Sequence, residues 1–433
     1  MIALLGLLTE PQSPLDPRET RWELRDSAEK VLFREIDEGL RSPQGVWLLA
    51  TPLAGRLTYP ARLVAKKGLL DLFVRFDFYT GPRWVRRDEP WDPRYDPRYD
   101  TPPTDKQPVF GRTYLFEAHQ KRGYASARWS WGWLAVGRLV YRQGPCYRLG
   151  LNLTGFSGPF DFYYLTRAEA WNLRATAGFA RVPDTVNLRR LAFQRITWQP
   201  KDWFYLAATS AVLTARSDWG KYAIPFLFVY DIQRYETRDD LDNLFGSFEG
   251  SVRLGAFRLY AEVFADDPTF ISGGEATVMG IAGGGALQKG GWELRLEGSA
   301  ITPGTYAHFS KVNSIQNFGW PMGSWLGPDS RALYAHLSFE RGPWRALAFA
   351  EAYEHGEMWL GEPPEAWGDT SLAWPTGVVE QVLRPGVELC FSWAWGELGF
   401  RASWLKADNF ANEEGKEVSE PRLRLFLLVG EGP

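Results

Sequence analysis

The chain has 433 residues, 45% of them apolar, with 49 basic and 52 acidic side chains and a formal net charge of -3. That length suits two or three ordinary domains or one large barrel, and no Gly/Ser linker divides it. The near-neutral balance lacks the basic stripe of a nucleic-acid binder, and two cysteines, Cys146 and Cys390, exclude a disulfide scaffold or a Cys-based zinc site while leaving room for one disulfide.

Residues 1–15 begin with a short apolar stretch, Met1 to Leu8. It has the look of the apolar region of a secretory signal but lacks a basic start and an A-x-A site, so it reads as a truncated signal or a disordered terminus. Residues 16–43 predict one helix. Asp16 caps it, Pro17 suits its first turn, Glu19 completes a capping box, and Leu24, Ala28, Val31, Leu32 and Ile36 recur at helical spacing until Gly39. This segment is expected to lie on the periplasmic side of the body that follows.

From residue 44 to 433 the pattern has period two. Leu70, Leu72, Val74, Phe76 and Phe78 share one strand face, and Asp71, Arg75 and Asp77 the other. Phe257, Leu259, Ala261 and Val263 alternate with Arg258, Tyr260 and Glu262. Trp292, Leu294 and Leu296 alternate with Glu293, Arg295 and Glu297, and Leu423, Leu425, Leu427 and Val429 oppose Arg422 and Arg424. A fully apolar face beside a charged face is the mark of a transmembrane β-barrel, whose strands meet lipid on one side and a polar interior on the other. No apolar run reaches the roughly 18 residues of a membrane helix.

Turn residues separate these runs. Glu340 to Pro343 divides 333–339 from 344–353, and Gly396-Glu397 divides Val387–Trp395 from Leu398–Trp404. Longer connections are expected at 81–113, 265–290, 302–329, 355–380 and 407–420. Short turns at one end and long loops at the other fit an outer-membrane topology of about 16–18 antiparallel strands. Trp, Tyr and Phe number 21, 18 and 27, which suits two aromatic girdles but also a soluble sugar-binding β-protein. A soluble β-sandwich remains a competing architecture; a propeller is disfavoured because no repeat has blade period.

The loop 81–113 contains the tandem DPRYDPRYD. Its Trp84, Trp91, Tyr95 and Tyr99 are candidate stacking platforms for a sugar ring, with Asp92 and Arg94 as hydrogen-bonding partners. A proline-stiffened loop packed on itself is the alternative. None of His119, His308, His336 and His355 belongs to a metal-binding pair, and no G-x-S-x-G elbow is present. His336 sits on an inner face near Ser338 and Glu340, where a polar lumen residue is the plainer reading. Gly283-Gly284-Gly285 lacks the spacing of a phosphate loop. No catalysis, cofactor or metal is expected.

Several stretches taken in order resemble the capsule-assembly Wzi family. Leu134–Arg167 resembles its Gly-Arg strand end, Gly-Pro turn and apolar strand, through Gly137, Arg138, Gly144 and Pro145; Gln143 stands where that family usually has Trp. LRRLAFQRITWQPKDWFYLAATSA is similar to its Trp-x-Pro strand pair, and DNLFGSFEGSVRLGAFRLYAEVFADD to a later hairpin. Pro321 to Asp329 is similar to a Leu-Gly-Pro-Asp segment preceding a strand, here Leu333–Phe339. The likeness covers most of residues 17–340; the remainder matches only as generic strands, and the chain ends in Gly-Glu-Gly-Pro rather than on an aromatic, with Phe426 a candidate substitute. The resemblance implies a monomeric surface lectin in the bacterial outer membrane, embedded in its lipid, binding capsular or other surface polysaccharide and helping attach or assemble it. It adds Trp320, Trp325 and Asp329 as candidate glycan-binding residues, although Gly and Pro there also shape a turn. A porin-like channel for small polar solutes is the alternative function, and a passive envelope scaffold a third.

Overall fold

The computed structural model describes residues 46–51, 54–67, 70–82, 114–139, 141–154, 160–182, 189–225, 227–236, 242–266, 278–308, 311–317, 320–358, 374–393 and 396–429. The expected helix at 16–43, the segment 1–15 and the loop carrying Trp84, Trp91, Asp92, Arg94, Tyr95 and Tyr99 lie outside the described residues.

The first strands are β1 (Val46–Thr51), β2 (Ala54–Lys67), β3 (Leu70–Pro82), β4 (Tyr114–Trp129), β5 (Gly132–Leu139), β6 (Phe160–Ala170) and β7 (Leu173–Val182). Then come β8 (Arg189–Lys201), β9 (Phe204–Thr214), the helix α1 (Val229–Glu236), β10 (Asn243–Leu254), β11 (Phe257–Asp266), β12 (Val278–Lys289) and β13 (Trp292–Ile301). After a two-residue pair, β14 (Gln316–Asn317) and β15 (Trp320–Pro321), follow β16 (Ser330–Arg341), β17 (Trp344–His355), β18 (Glu380–Trp393), β19 (Gly396–Asp408) and β20 (Val418–Val429). Apart from the β14–β15 pair, the strands form one antiparallel 18-stranded sheet, and β20 pairs with β1 from Val46↔Val429 to Ala50↔Leu425. The sheet therefore closes on itself and leaves no edge, which hydrocarbon requires because it supplies no hydrogen-bond partners.

The alternation of the sequence becomes an inside and an outside. On β13, Trp292, Leu294 and Leu296 are exposed, while Glu293, Arg295 and Glu297 are buried. On β11, Phe257, Leu259 and Val263 are exposed, and Arg258, Tyr260 and Glu262 buried. Exposed apolar side chains on a closed sheet are the lipid face, and buried charges are the lumen face. This is an all-β transmembrane barrel of the outer-membrane type.

The two ends differ as expected. Two-residue turns at 130–131, 171–172, 202–203, 255–256, 290–291 and 342–343 all fall at one end. At the 290–291 turn both glycines have positive φ, +57° and +88°, the backbone of a tight hairpin that follows the sheet's twist. Trp131, Trp171, Trp203, Trp292 and Trp344 stand exposed at this end, forming an aromatic girdle at the water boundary. The opposite end carries the long connections, including 302–329 between β13 and β16 and 356–379 between β17 and β18.

Three sequence expectations change. The long connection placed at 265–290 contains β12, and the Gly283–Gly285 run lies mid-strand. Glycines show no alternation, and a Cβ at Gly284 would come within 2.2 Å of the Leu296 carbonyl oxygen, so the residue that hides the strand also permits its close pairing. Gly396 and Glu397 belong to β19, with Gly396 paired to Trp393, so the divide lies earlier than expected. The connection from β9 to β10 is long and carries a 3-10 turn at Trp219–Ala223 and α1, where no helix was expected.

Face assignment gives a direct expectation. Leu296→Arg puts a charge on the lipid face and should lower stability in vesicles by about 2–4 kcal/mol if near the midplane. Leu296→Phe should stay within about 1.5 kcal/mol. Urea titration of the refolded barrel measures both, and equal effects would contradict the assigned outside.

Candidate functional site

The stretch 141–154 after β5 has the alternating leucines Leu149, Leu151 and Leu153 expected of a strand, yet it joins no sheet. It turns inward at Gly144 and Pro145. Gly144 has φ +94°, and a Cβ there would lie 2.2 Å from a carboxylate oxygen of Glu262, so both backbone and space require glycine.

Inside the barrel the segment's N–H groups meet side chains instead of a neighbouring strand. Tyr147 N–H donates to Glu297 Oε1 at 2.6 Å, and the N–H groups of Arg148 and Leu149 donate to Glu297 Oε2 at 2.7 and 3.2 Å. Leu151 N–H donates to Glu262. Asn152 donates to Ser247 Oγ on β10 at 2.6 Å, and the Arg148 guanidinium pairs with Glu351 on β17 at 2.9 Å. One short segment is thus tied to four strands, three of them through buried carboxylates.

Those carboxylates sit in a wider lattice. Glu297 also accepts from the Tyr260 hydroxyl at 2.7 Å, and Arg295 donates to the same hydroxyl at 3.1 Å. Arg295 pairs with Glu293 at 3.0 Å, and Glu293 lies 3.1 Å from His336 Nε2. Glu351 holds Arg384 as well as Arg148, and Glu388 pairs with Arg401 at 3.5 Å. Nearer β8, Arg195 pairs with Glu249 at 2.5 Å. An ion of either sign buried this way is tolerable only when paired and hydrogen-bonded. From β8 to β18 the lumen is accordingly filled by protein: Arg195, Glu249, Glu262, Arg295, Glu351 and Glu388 are each less than 9% exposed.

A second inward connection, 302–329, locks onto the first. The Tyr306 hydroxyl donates to Leu151 O at 2.7 Å, and Thr154 N–H donates to Met322 O at 3.0 Å. Arg189, itself 1% exposed, donates to the carbonyls of Ser314 at 2.9 Å and Gln316 at 2.7 Å.

The described candidate residues have internal partners. Asp329, with φ +53°, is fully buried and accepts from Thr376 N–H at 3.0 Å, Thr376 Oγ1–H at 2.5 Å and Met358 N–H at 3.3 Å. It fastens the 356–379 connection to the start of β16, and burial pushes its carboxyl up despite those donors. Trp325 is 9% exposed, lies 4.7 Å beneath the Arg148 guanidinium and meets Tyr353 edge-on. Trp320 contributes its backbone to β15. Trp325 thus packs on Arg148 and Tyr353 while Asp329 binds Thr376 and Met358, and the candidates Trp84, Trp91, Asp92, Arg94, Tyr95 and Tyr99 lie outside the described residues. Cys146 and Cys390 are both buried as free thiols, so the disulfide left open by the sequence does not form. No metal-binding cluster occurs among the described residues.

The inward Glu and Arg pattern is visible in the sequence, but its link to 141–154 is not. Glu297 lies 150 residues from Tyr147, and no local spacing signals their contact.

No protein-family profile matches the chain, and no curated protein matches it by sequence. Among solved structures it is similar to Wzi, an outer-membrane protein involved in group 1 capsule assembly in Escherichia coli and described as a carbohydrate-binding β-barrel. The TM-score is 0.62 at 12% identity, covering 99% of this chain and 91% of that one. It also aligns with Pseudomonas aeruginosa OpdK solved with vanillate, at TM-score 0.47, 10% identity, and 89% and 96% coverage of this chain and that one. OccK2 of the same species, solved with glucuronate, gives 0.48, 11%, 90% and 96%. At such identities the Wzi likeness speaks to fold alone: the chain is built as a bacterial outer-membrane barrel.

The carboxylate clamp can be tested by its loss. Glu297→Ala removes the acceptor of three backbone N–H groups and should cost about 3–5 kcal/mol, as for a broken buried charge pair. Urea unfolding measures that loss, and a planar bilayer should show a higher conductance for the variant than for the parent. Unchanged stability and unchanged conductance together would mean that Glu297 does not hold the segment.

Proposed function

We propose that this chain sits in the outer membrane as a monomer, binds a surface or capsular polysaccharide at its long-loop end, and helps attach or assemble it there. The observation that carries the reading is the filled arc of the lumen from β8 to β18: 141–154 enters it and is fastened to β10, β11, β13 and β17. A barrel closed in this way is suited to holding a ligand at its mouth rather than passing solutes. The likeness to Wzi adds support, because that protein is a carbohydrate-binding barrel involved in capsule assembly. The loop with Trp84, Trp91, Tyr95 and Tyr99 beside Asp92 and Arg94 supplies the fitting chemistry: aromatic faces for sugar C–H groups and polar groups for hydroxyls. Trp320 flanks the same end of the barrel. No catalytic role is part of the proposal.

The porin-like alternative draws on the same charged wall. Arg345, on the inner side of β17, keeps 35% of its side chain exposed beside Glu388. An aqueous path would have to pass between that wall and the inward segment.

Single-channel recording of the refolded chain separates the two, run with and without polysaccharide purified from the same organism. A silent barrel that retains the polysaccharide in a pull-down is the expected result. Trp91→Ala with Tyr95→Ala should weaken that retention by about 1–3 kcal/mol, the worth of stacked aromatic anchors. Steady large openings with no retention would replace the lectin by a porin.

A further inference from the structure

The outer face of the barrel is not uniformly bare. The connection from β9 to β10 leaves the long-loop end, turns back, and packs on the outside of β7 to β10. Its Tyr222, Val229 and Ile232 cover Phe179, Ala192, Val212 and Leu244, which point away from the lumen. The Gln194 side chain, also on the outer face, donates to the carbonyls of Pro225 at 3.1 Å and of Leu227. An amide is out of place on a lipid face unless it satisfies backbone groups that lipid cannot. Gln194 does that for an irregular segment lying against the sheet. The segment exposes an apolar run, Ile224, Leu227 and Phe228, with Asp231 exposed on α1 beyond it and Asp218, paired with Arg216 and Lys221, before it.

Above this apolar surface runs a row of charge. Arg138 on β5 pairs in register with Asp161 on β6, Asp161 with Arg181 on β7, and Arg181 with Arg190 on β8. Each lies one residue inside the long-loop end of its strand. Among the described residues, this register row holds three arginines and one aspartate. Arg138 grips Asp161 through two bonds of 2.6 and 3.0 Å, Arg190 lies 4.4 Å over the Trp219 ring, and Arg181 is exposed between them. Trp219 in turn stacks on Phe179 at 5.3 Å and on Tyr163 at 6.2 Å, which fixes the rim.

We propose that this face docks a phosphorylated glycolipid of the outer leaflet. Its phosphate sits on the row Arg138–Arg181–Arg190, and its acyl chains run beside Ile224, Leu227 and Phe228. Charge complementarity selects the occupant. A basic row at the headgroup level directly above exposed apolar side chains matches an anionic headgroup joined to hydrocarbon, and guanidinium groups match phosphate oxygens in pairs. A neutral sugar would use the aromatic faces instead, but Trp219 already spends its ring on Arg190 and Phe179. The site is separate from the polysaccharide reading and stands or falls without it.

Native mass spectrometry of the full chain in detergent tests the proposal, with diphosphorylated lipid A, fully dephosphorylated lipid A and inorganic phosphate as separate probes. The expected result is tighter retention of the phosphorylated lipid than of its dephosphorylated form. Arg181→Glu should lower that retention about tenfold and Arg181→Gln less, because the bridging guanidinium is lost. Both variants should leave the dephosphorylated lipid unaffected. Arg331→Glu, whose exposed side chain pairs with Glu354 on the β16–β17 rim, should change neither. Equal retention of the two lipids would overturn the headgroup site. Competition by inorganic phosphate alone would reduce it to a free-anion site, and a dimer broken by Arg181→Glu would give the face to a second copy of the chain.

Discussion

A backbone N–H taken out of water needs an acceptor, and inside this barrel the acceptors are carboxylates on the wall. Glu297 takes three successive N–H groups of the inward segment, and Glu262 takes a fourth. This arrangement solves two problems at once. An irregular segment cannot satisfy itself, and a buried carboxylate cannot remain unpaired. Each is the other's partner, so the wall charge and the plug conformation depend on one another. Arg148 extends the same logic, because its backbone is held by Glu297 while its side chain neutralises Glu351.

Most of the interior can be understood from that constraint. Arg195, Arg295 and Arg401 pair with Glu249, Glu293 and Glu388, and hydroxyls of Tyr260 and Tyr306 link wall to loop. The loops then support one another: Tyr306 reaches Leu151, and Asp329 ties the 356–379 connection to the start of β16. A lattice of this kind is stiff because moving one member leaves another charge unsatisfied.

The outer face obeys the opposite rule. Lipid rewards apolar side chains and offers no hydrogen bonds, so strands present Leu, Val and Phe along the band and Trp at the turn end. The exception is the excursion between β9 and β10. There one glutamine caps two carbonyls, a short helix buries its own backbone, and a row of arginines marks the boundary with water. Polar atoms on a lipid face are expensive, which is why their presence indicates a specific contact rather than a neutral surface.

Much of this was legible in the sequence, for a physical reason. Period-two alternation is a local property: Leu294 and Arg295 point to opposite faces whatever the rest of the chain does, and so the barrel, its faces and the long connections placed at 302–329 and 355–380 could be read residue by residue. The glycines of β12 erased that alternation and concealed a strand. The fate of 141–154 could not be read at all. Its leucines alternate like those of a strand, but what decides its conformation is the arrival of Glu297 and Glu262 from more than a hundred residues away. The sequence by itself determined which side chains face lipid. Only closure of the sheet decided which charges meet, and therefore that this arc of the lumen is filled.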